Sequence, residues 1–270
     1  MKKLIIYSVF CFLAFYTQAS TVDTVMVHSK IMDKDVQVVT IVPDKASKST
    51  PCPVVYLLHG YTGNAAGWIR LKPELKEMAD QKNMIFICPG VTNSWYWDSP
   101  KIKTNCYETF MSKELIEYVD SHYPTKANRK ARAISGLSMG GHGAMYLAMR
   151  HKDVFGAAGS MSGGLDIRPF PQNWEMNKLL GEEGDNRLVW DEYTAINQIE
   201  RINNGDLALI IDCGYDDFFF KVNNDFHEKL LKHRIMHDFI VRAGAHTTEY
   251  WNNSIDYHLM FFQKFFNMKK

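Results

Sequence analysis

Two hydrophobic patterns divide the chain. Val22–Lys30 and Val36–Val42 alternate apolar and polar residues, as strands with one wet face do, and Asp33-Lys34-Asp35 between them predicts the turn of an antiparallel pair. Val54–Leu58 is apolar at every position, the mark of a strand covered on both faces, and Met84–Cys88 and Leu207–Cys213 read the same way. Ala131–Ser135, Phe155–Ser160 and the short Phe239–Val241 are further strands. Helices are expected over Leu75–Gln81, Gly141–Arg150, Val222–His233 and Trp251–Asn267, and over Tyr107–Tyr123, whose apolar residues fall at 107, 110, 111, 115, 118 and 119. Strands alternating with helices predict an α/β fold with a mostly parallel central sheet flanked by helices, preceded by antiparallel N-terminal strands.

One stretch carries chemistry. Ala131–Gly143 contains Gly136-Leu137-Ser138-Met139-Gly140, a G-x-S-x-G pattern set between a short buried strand and a helix. Strand, tight turn with serine, then helix is the context of a nucleophile elbow. Side chains at 136 and 140 would collide with the strand or helix packed beside them, and the helix start directs its positive end at the site. The competing reading is a glycine-rich helix start capped by serine.

A serine hydroxyl needs a base within hydrogen-bond reach, and that base needs a carboxylate. In this kind of fold the order along the chain is serine, acid, histidine. Leu207–Ile211 runs into Asp212-Cys213-Gly214-Tyr215-Asp216-Asp217, and Phe239–Val241 runs into Arg242-Ala243-Gly244-Ala245-His246. Both loops follow strands at the edge where Ser138 emerges. Of the ten histidines, only His246 lies in a post-strand loop after the acid. His59 comes too early, His142 is on the elbow helix, His227 and His233 read as helix-surface residues, and His258 sits in the last helix. Spacing alone leaves Asp212, Asp216 and Asp217 open as the acid. Residues 163–197, with Pro169, Pro171, Trp174 and Trp190, have no regular period and read as an insertion over the site.

Composition narrows the partners. Of 270 residues, 46% are hydrophobic and 23% charged, enough for a large core, and net charge is +1. Lys2-Lys3, the apolar run Leu4–Tyr16 and the small residues at 17 and 19 read as a cleaved export signal over 1–19. Residues 20–270 then form one domain, exported to the periplasm or beyond the cell, with no membrane span after cleavage. Losing Lys2 and Lys3 takes the charge to −1, which leaves no electrostatic case for nucleic acid. Cys52, Cys88, Cys106 and Cys213 remain, and Cys88 and Cys213 read as buried thiols because each ends an apolar run. No metal motif appears, and His233 and His237 straddle a helix end. Neither metal nor cofactor is expected.

Tyr56-Leu57-Leu58-His59-Gly60, Asn93-Ser94-Trp95-Tyr96, Gly136-Leu137-Ser138-Met139-Gly140-Gly141, Ser160-Met161-Ser162-Gly163, Cys213-Gly214-Tyr215-Asp216-Asp217-Phe218 and Gly244-Ala245-His246 together carry a resemblance. From about residue 24 to 266 the chain resembles the esterase D-like α/β-hydrolases. These include secreted feruloyl and acetylxylan esterases, tributyrin-type esterases, S-formylglutathione hydrolases and mycolyltransferases. The resemblance implies the α/β-hydrolase fold, with Ser138 as nucleophile, Asp217 as acid and His246 as base. It also implies an oxyanion hole made by the backbone N–H groups of Met139 and Tyr61. One departure is Thr248, where relatives often carry Trp; Trp251 is retained.

These observations converge on an exported serine carboxylic-ester hydrolase that works through an acyl-enzyme. Feruloyl or acetyl groups on plant cell-wall polysaccharide are the expected substrates. His59, Trp95, Tyr96, Trp97 and Trp251 are the expected substrate contacts, the aromatics by stacking on a sugar or phenolic ring. A general short-chain esterase is the alternative within the class. A carbohydrate-binding protein that kept the fold without activity is the alternative outside it.

Overall fold

The computed structural model describes residues 20–268. The expected export signal over 1–19 lies outside the described residues. Eight strands make one sheet: β1 (Thr21–Ser29), β2 (Lys34–Val42), β3 (Val54–Leu58), β4 (Ile85–Pro89), β5 (Arg132–Leu137), β6 (Ala157–Met161), β7 (Ala208–Gly214) and β8 (Asp238–Arg242). Their order across the sheet is β1-β2-β4-β3-β5-β6-β7-β8. β1 and β2 pair antiparallel, β2 pairs antiparallel with β4, and every later pair is parallel. This is the predicted α/β-hydrolase architecture.

The uniformly apolar strands are explained by two core layers. Along β3, Val54, Tyr56 and Leu58 face one layer while Val55 and Leu57 face the other. A strand buried on both faces has no position where a polar side chain reaches water, hence the unbroken run.

The helices are α1 (Gly67–Leu71), α2 (Leu75–Lys82), α3 (Tyr107–Thr109), α4 (Leu115–His122), α5 (Met139–Arg150), α6 (Met176–Leu180), α7 (Arg187–Tyr193), α8 (Phe220–Lys232) and α9 (Thr248–Asn267). Tyr107–His122 is one helical stretch, but Phe110–Glu114 winds as a π-helix. The apolar stripe at 107, 110 and 111 still faces the core: Tyr107, Phe110 and Met111 are all buried. Helix α5 starts two residues earlier than its sequence pattern indicates and is buried from Met139 to Met149.

The span 163–197 carries the short helices α6 and α7, and its Leu165, Ile167, Leu180 and Trp190 are buried in the same core layer as Tyr56 and Leu58. Cys52, Cys88 and Cys213 are buried free thiols, and Cys106 is a partly exposed one. No described helix is long and apolar enough to cross a membrane.

Candidate active site

Ser138 stands between β5 and α5 with φ 55° and ψ −120°, a backbone conformation that costs a non-glycine residue energy. The neighbouring glycines allow it. A Cβ at Gly136 would lie 2.4 Å from the Gly140 carbonyl oxygen, and a Cβ at Gly140 would lie 2.4 Å from that of Leu58. The elbow therefore fits only because helix α5 and strand β3 touch it backbone to backbone.

His246 Nε2 lies 2.9 Å from Ser138 Oγ, and His246 Nδ1 lies 2.9 Å from Asp217 Oδ2 and 3.1 Å from Oδ1. A carboxylate only accepts, so Nδ1 carries the proton and Nε2 accepts from the serine hydroxyl. The Asp217 side chain is fully buried, that of His246 is 16% exposed. Asp217 Oδ1 also accepts the Phe219 N–H at 2.8 Å.

The ends of the parallel strands are laced together by backbone bonds. Ser138 N–H donates to Met161 at 2.9 Å, Ser162 N–H to Asp212 at 2.7 Å, and Tyr215 and Asp216 N–H to Arg242 and Gly244 at 3.1 and 3.0 Å. The other two acid candidates are placed elsewhere. Asp216 is exposed. Asp212 is fully buried and receives Arg242 at 2.7 Å and the Tyr250 hydroxyl, so it braces β7 against β8 and α9.

Tyr61, one expected oxyanion donor, lines the cleft together with Ser138, and Met139, the other, directly follows Ser138 in the chain. Met139 opens helix α5, where first-turn N–H groups lack intrahelical acceptors. The Tyr61 N–H meets no protein acceptor among the described residues, although the amides of Thr62 and Gly63 beside it are both engaged. Gly60 O accepts His59 Nδ1 at 2.7 Å and Gly63 N–H at 3.0 Å. That carbonyl belongs to the same planar trans peptide as the Tyr61 N–H, so clamping one aims the other the opposite way.

His59 is therefore a correction to the expected substrate contacts. It borders the cleft, but it is 3% exposed and its Nε2 accepts the Val91 N–H at 3.1 Å, leaving neither ring nitrogen for a ligand. Burial lowers its pKa below the usual histidine value, consistent with this neutral tautomer.

Trp95, Tyr96 and Trp97 are a second correction. All three are buried at 1% exposure or less, so none presents a ring face for a sugar or phenolic group to stack on. Left-handed backbone at Trp95 (φ 54°) and Tyr96 (φ 64°) turns the segment inward. Tyr96 O–H donates to the His59 carbonyl at 2.9 Å, and Trp97 Nε1–H donates to His142 Nε2 at 3.0 Å. His142 in turn donates from Nδ1 to the Gly164 carbonyl at 2.9 Å. Burial depresses its pKa to about 4. These aromatics support the site from beneath.

The cleft over Ser138 has a volume of about 440 Å³. Its aromatic lining includes Tyr61, Trp68, Trp174 from the 163–197 span, Phe218 beside the acid, and Trp251. Trp174 stacks on Phe218 with centroids 5.9 Å apart, Phe218 lies 4.3 Å from the His246 ring, and Trp251 meets that ring edge-on at 4.8 Å. Trp174 and Phe218 escape the sequence reading of contacts. Phe218 carried a signal, as an apolar residue directly after two aspartates in a loop expected to hold the acid. No Lys or Arg lines the cleft among the described residues.

Comparison with known proteins finds esterases. The Esterase family model matches residues 29–262. An acetyl esterase of Caldicellulosiruptor saccharolyticus is 28% identical over 256 residues, covering 84% of this chain and 92% of that protein. An S-formylglutathione hydrolase of Arabidopsis thaliana is 26% identical over 198 residues, covering 66% and 68%. The solved structure of a ferulic acid esterase superposes with a TM-score of 0.79 at 28% identity, covering 92% of this chain and 99% of that one.

Proposed function

The chain belongs to the Esterase family and is a serine ester hydrolase; from that premise we propose that it is exported and removes feruloyl or acetyl groups from plant cell-wall polysaccharide. The observation that carries this reading is the Ser138–His246–Asp217 relay at the base of an aromatic-walled cleft free of basic residues.

His246 takes the Ser138 proton as Oγ attacks the ester carbonyl. Asp217 holds the imidazole in the reactive tautomer and stabilises the imidazolium. The N–H groups of Tyr61 and Met139 receive the oxyanion, the interaction that strengthens most in the transition state. His246 then protonates the departing alcohol. Water, activated by the same base, adds to the acyl-enzyme and releases the acid.

The wall of Trp174, Phe218 and Trp251 favours a flat or small uncharged acyl or sugar group. A glutathione thioester brings carboxylates that meet no cation there. The leader over 1–19 supports an extracellular or periplasmic substrate.

The test is a set of initial rates for protein beginning at Ser20, on methyl ferulate, acetylated xylan, and p-nitrophenyl acetate and butyrate, with Ser138→Ala as control. The reading expects turnover of ferulate or acetylxylan that Ser138→Ala abolishes. Activity confined to the p-nitrophenyl esters points to a general short-chain esterase. Undiminished activity in Ser138→Ala overturns the relay.

A further inference from the structure

The 163–197 span reaches the oxyanion loop through one hydrogen bond. The Tyr61 phenol donates to Glu175 Oε2 at 2.8 Å. The other Glu175 oxygen pairs with Lys178. Both ends of the contact are held in costly backbone. Thr62, next to Tyr61, is β-branched and sits at φ 64°, while Trp174 and Glu175 sit at φ 49° and 56°. Such strain persists only where surrounding bonds hold it. On the loop side the Asn93 side chain accepts the Thr62 N–H at 2.8 Å. On the span side, Trp174 is tied by stacking on Phe218.

Tyr61 also contributes the amide proposed for the oxyanion hole. Its side chain is therefore a lever on that amide, and Glu175 holds the far end of the lever. We propose that Glu175 is a positioning residue: its carboxylate, across the cleft on the inserted span, fixes Tyr61 so that the backbone N–H stays aimed at the developing oxyanion. The proposal rests on the ester-hydrolase relay read above, and it gives the inserted span a role in the rate of the chemical step.

The experiment compares kcat and KM on p-nitrophenyl acetate for wild type, Glu175→Ala, Tyr61→Phe, the double variant, Glu175→Gln and Lys178→Ala, beside Ser138→Ala. Removing an oxyanion donor costs 10²–10³ in kcat, and misaiming one is expected to cost about tenfold. Glu175→Ala and Tyr61→Phe should each lose about that much kcat with KM within about twofold, and the double variant should be no slower than either single one. Glu175→Gln keeps an acceptor oxygen and should recover most of the loss. Lys178→Ala should stay within about twofold of wild type, since an exposed ion pair contributes little.

A rise in KM at constant kcat means that Glu175 only shapes the cleft wall, and overturns the proposal. Additive losses in the double variant, or no loss in the single ones, overturn it too. Turnover by Ser138→Ala is a separate failure, that of the underlying relay.

Discussion

His59 and Tyr61 are joined through one peptide plane: the His59 Nδ1–H clamps the Gly60 carbonyl at 2.7 Å, and the N–H on the other side of that plane belongs to Tyr61. Both ring nitrogens are engaged within the protein, and the imidazole sets the direction of a proposed oxyanion donor. Replacing His59 by Ala frees the carbonyl and also leaves the Val91 N–H without its acceptor. The expected result is a fall in kcat of about 10- to 100-fold with KM little changed, the signature of an interaction made in the transition state. Steady-state kinetics on p-nitrophenyl acetate check it; a change confined to KM contradicts it.

Asp217→Asn tests the acid. The substituted amide still accepts the Phe219 N–H that Asp217 receives at 2.8 Å, so the loop keeps its shape. It no longer stabilises the imidazolium and permits the wrong His246 tautomer. The expected loss in kcat is about 10³- to 10⁴-fold. A variant within about tenfold of wild type returns Asp216 to contention.

Stability should fall in acid for a definite reason. His142 and His258 are fully buried, and burial depresses each pKa from 6.5 to about 4. Below pH 6.5 the unfolded chain takes up protons that the folded chain refuses. Stability is therefore flat above pH 6.5 on this account and drops as pH falls to about 4, by on the order of 3 kcal/mol for each histidine. Urea unfolding of wild type and His258→Asn at pH 7, 5.5 and 4.5 checks this. The variant starts less stable, because Ser135 loses its 2.8 Å partner, and shows a shallower slope with pH. Equal slopes contradict the assignment.

Phe218 should separate acyl groups. It lies 4.3 Å from His246 and stacks on Trp174. Phe218→Ala removes about 0.5–1.5 kcal/mol of ring–ring contact available to an aromatic acyl group, and none from acetyl. The ratio of kcat/KM for methyl ferulate over p-nitrophenyl acetate should fall roughly 3- to 10-fold. An unchanged ratio places the acyl group elsewhere in the cleft.

How far the sequence reaches is clear from particular residues. Val54–Leu58 reads as a buried strand because burial on both faces leaves a continuous run, and β3 has those bounds. The G-x-S-x-G elbow is legible because its glycines answer a local steric demand. Trp95, Tyr96 and Trp97 are misread because direction is not a local property. Two left-handed residues turn them inward, and nothing about Trp or Tyr announces a positive φ. Trp174 reaches the cleft from a span without periodicity, held by Phe170 four residues before it and by Phe218, distant in the chain. The π turn over Phe110–Glu114 is invisible for another reason: its apolar stripe serves α and π winding alike.

The lacing of the strand ends has a mechanical consequence. Asp217 and His246 ride on the loops that follow the adjacent strands β7 and β8, and those loops are zipped to each other directly, whereas the backbone of Ser138 is tied to theirs across β6, through Met161, Ser162 and Asp212. The acid and base thus form one rigid part and the nucleophile another, with the tolerances of two joints stacked between them. A distortion of sheet twist should therefore fall on the Ser138–His246 gap before it reaches the His246–Asp217 bond. Substitutions at the β6 edge should then show as a misfit of the attacking oxygen, in a protein whose imidazole is still correctly held.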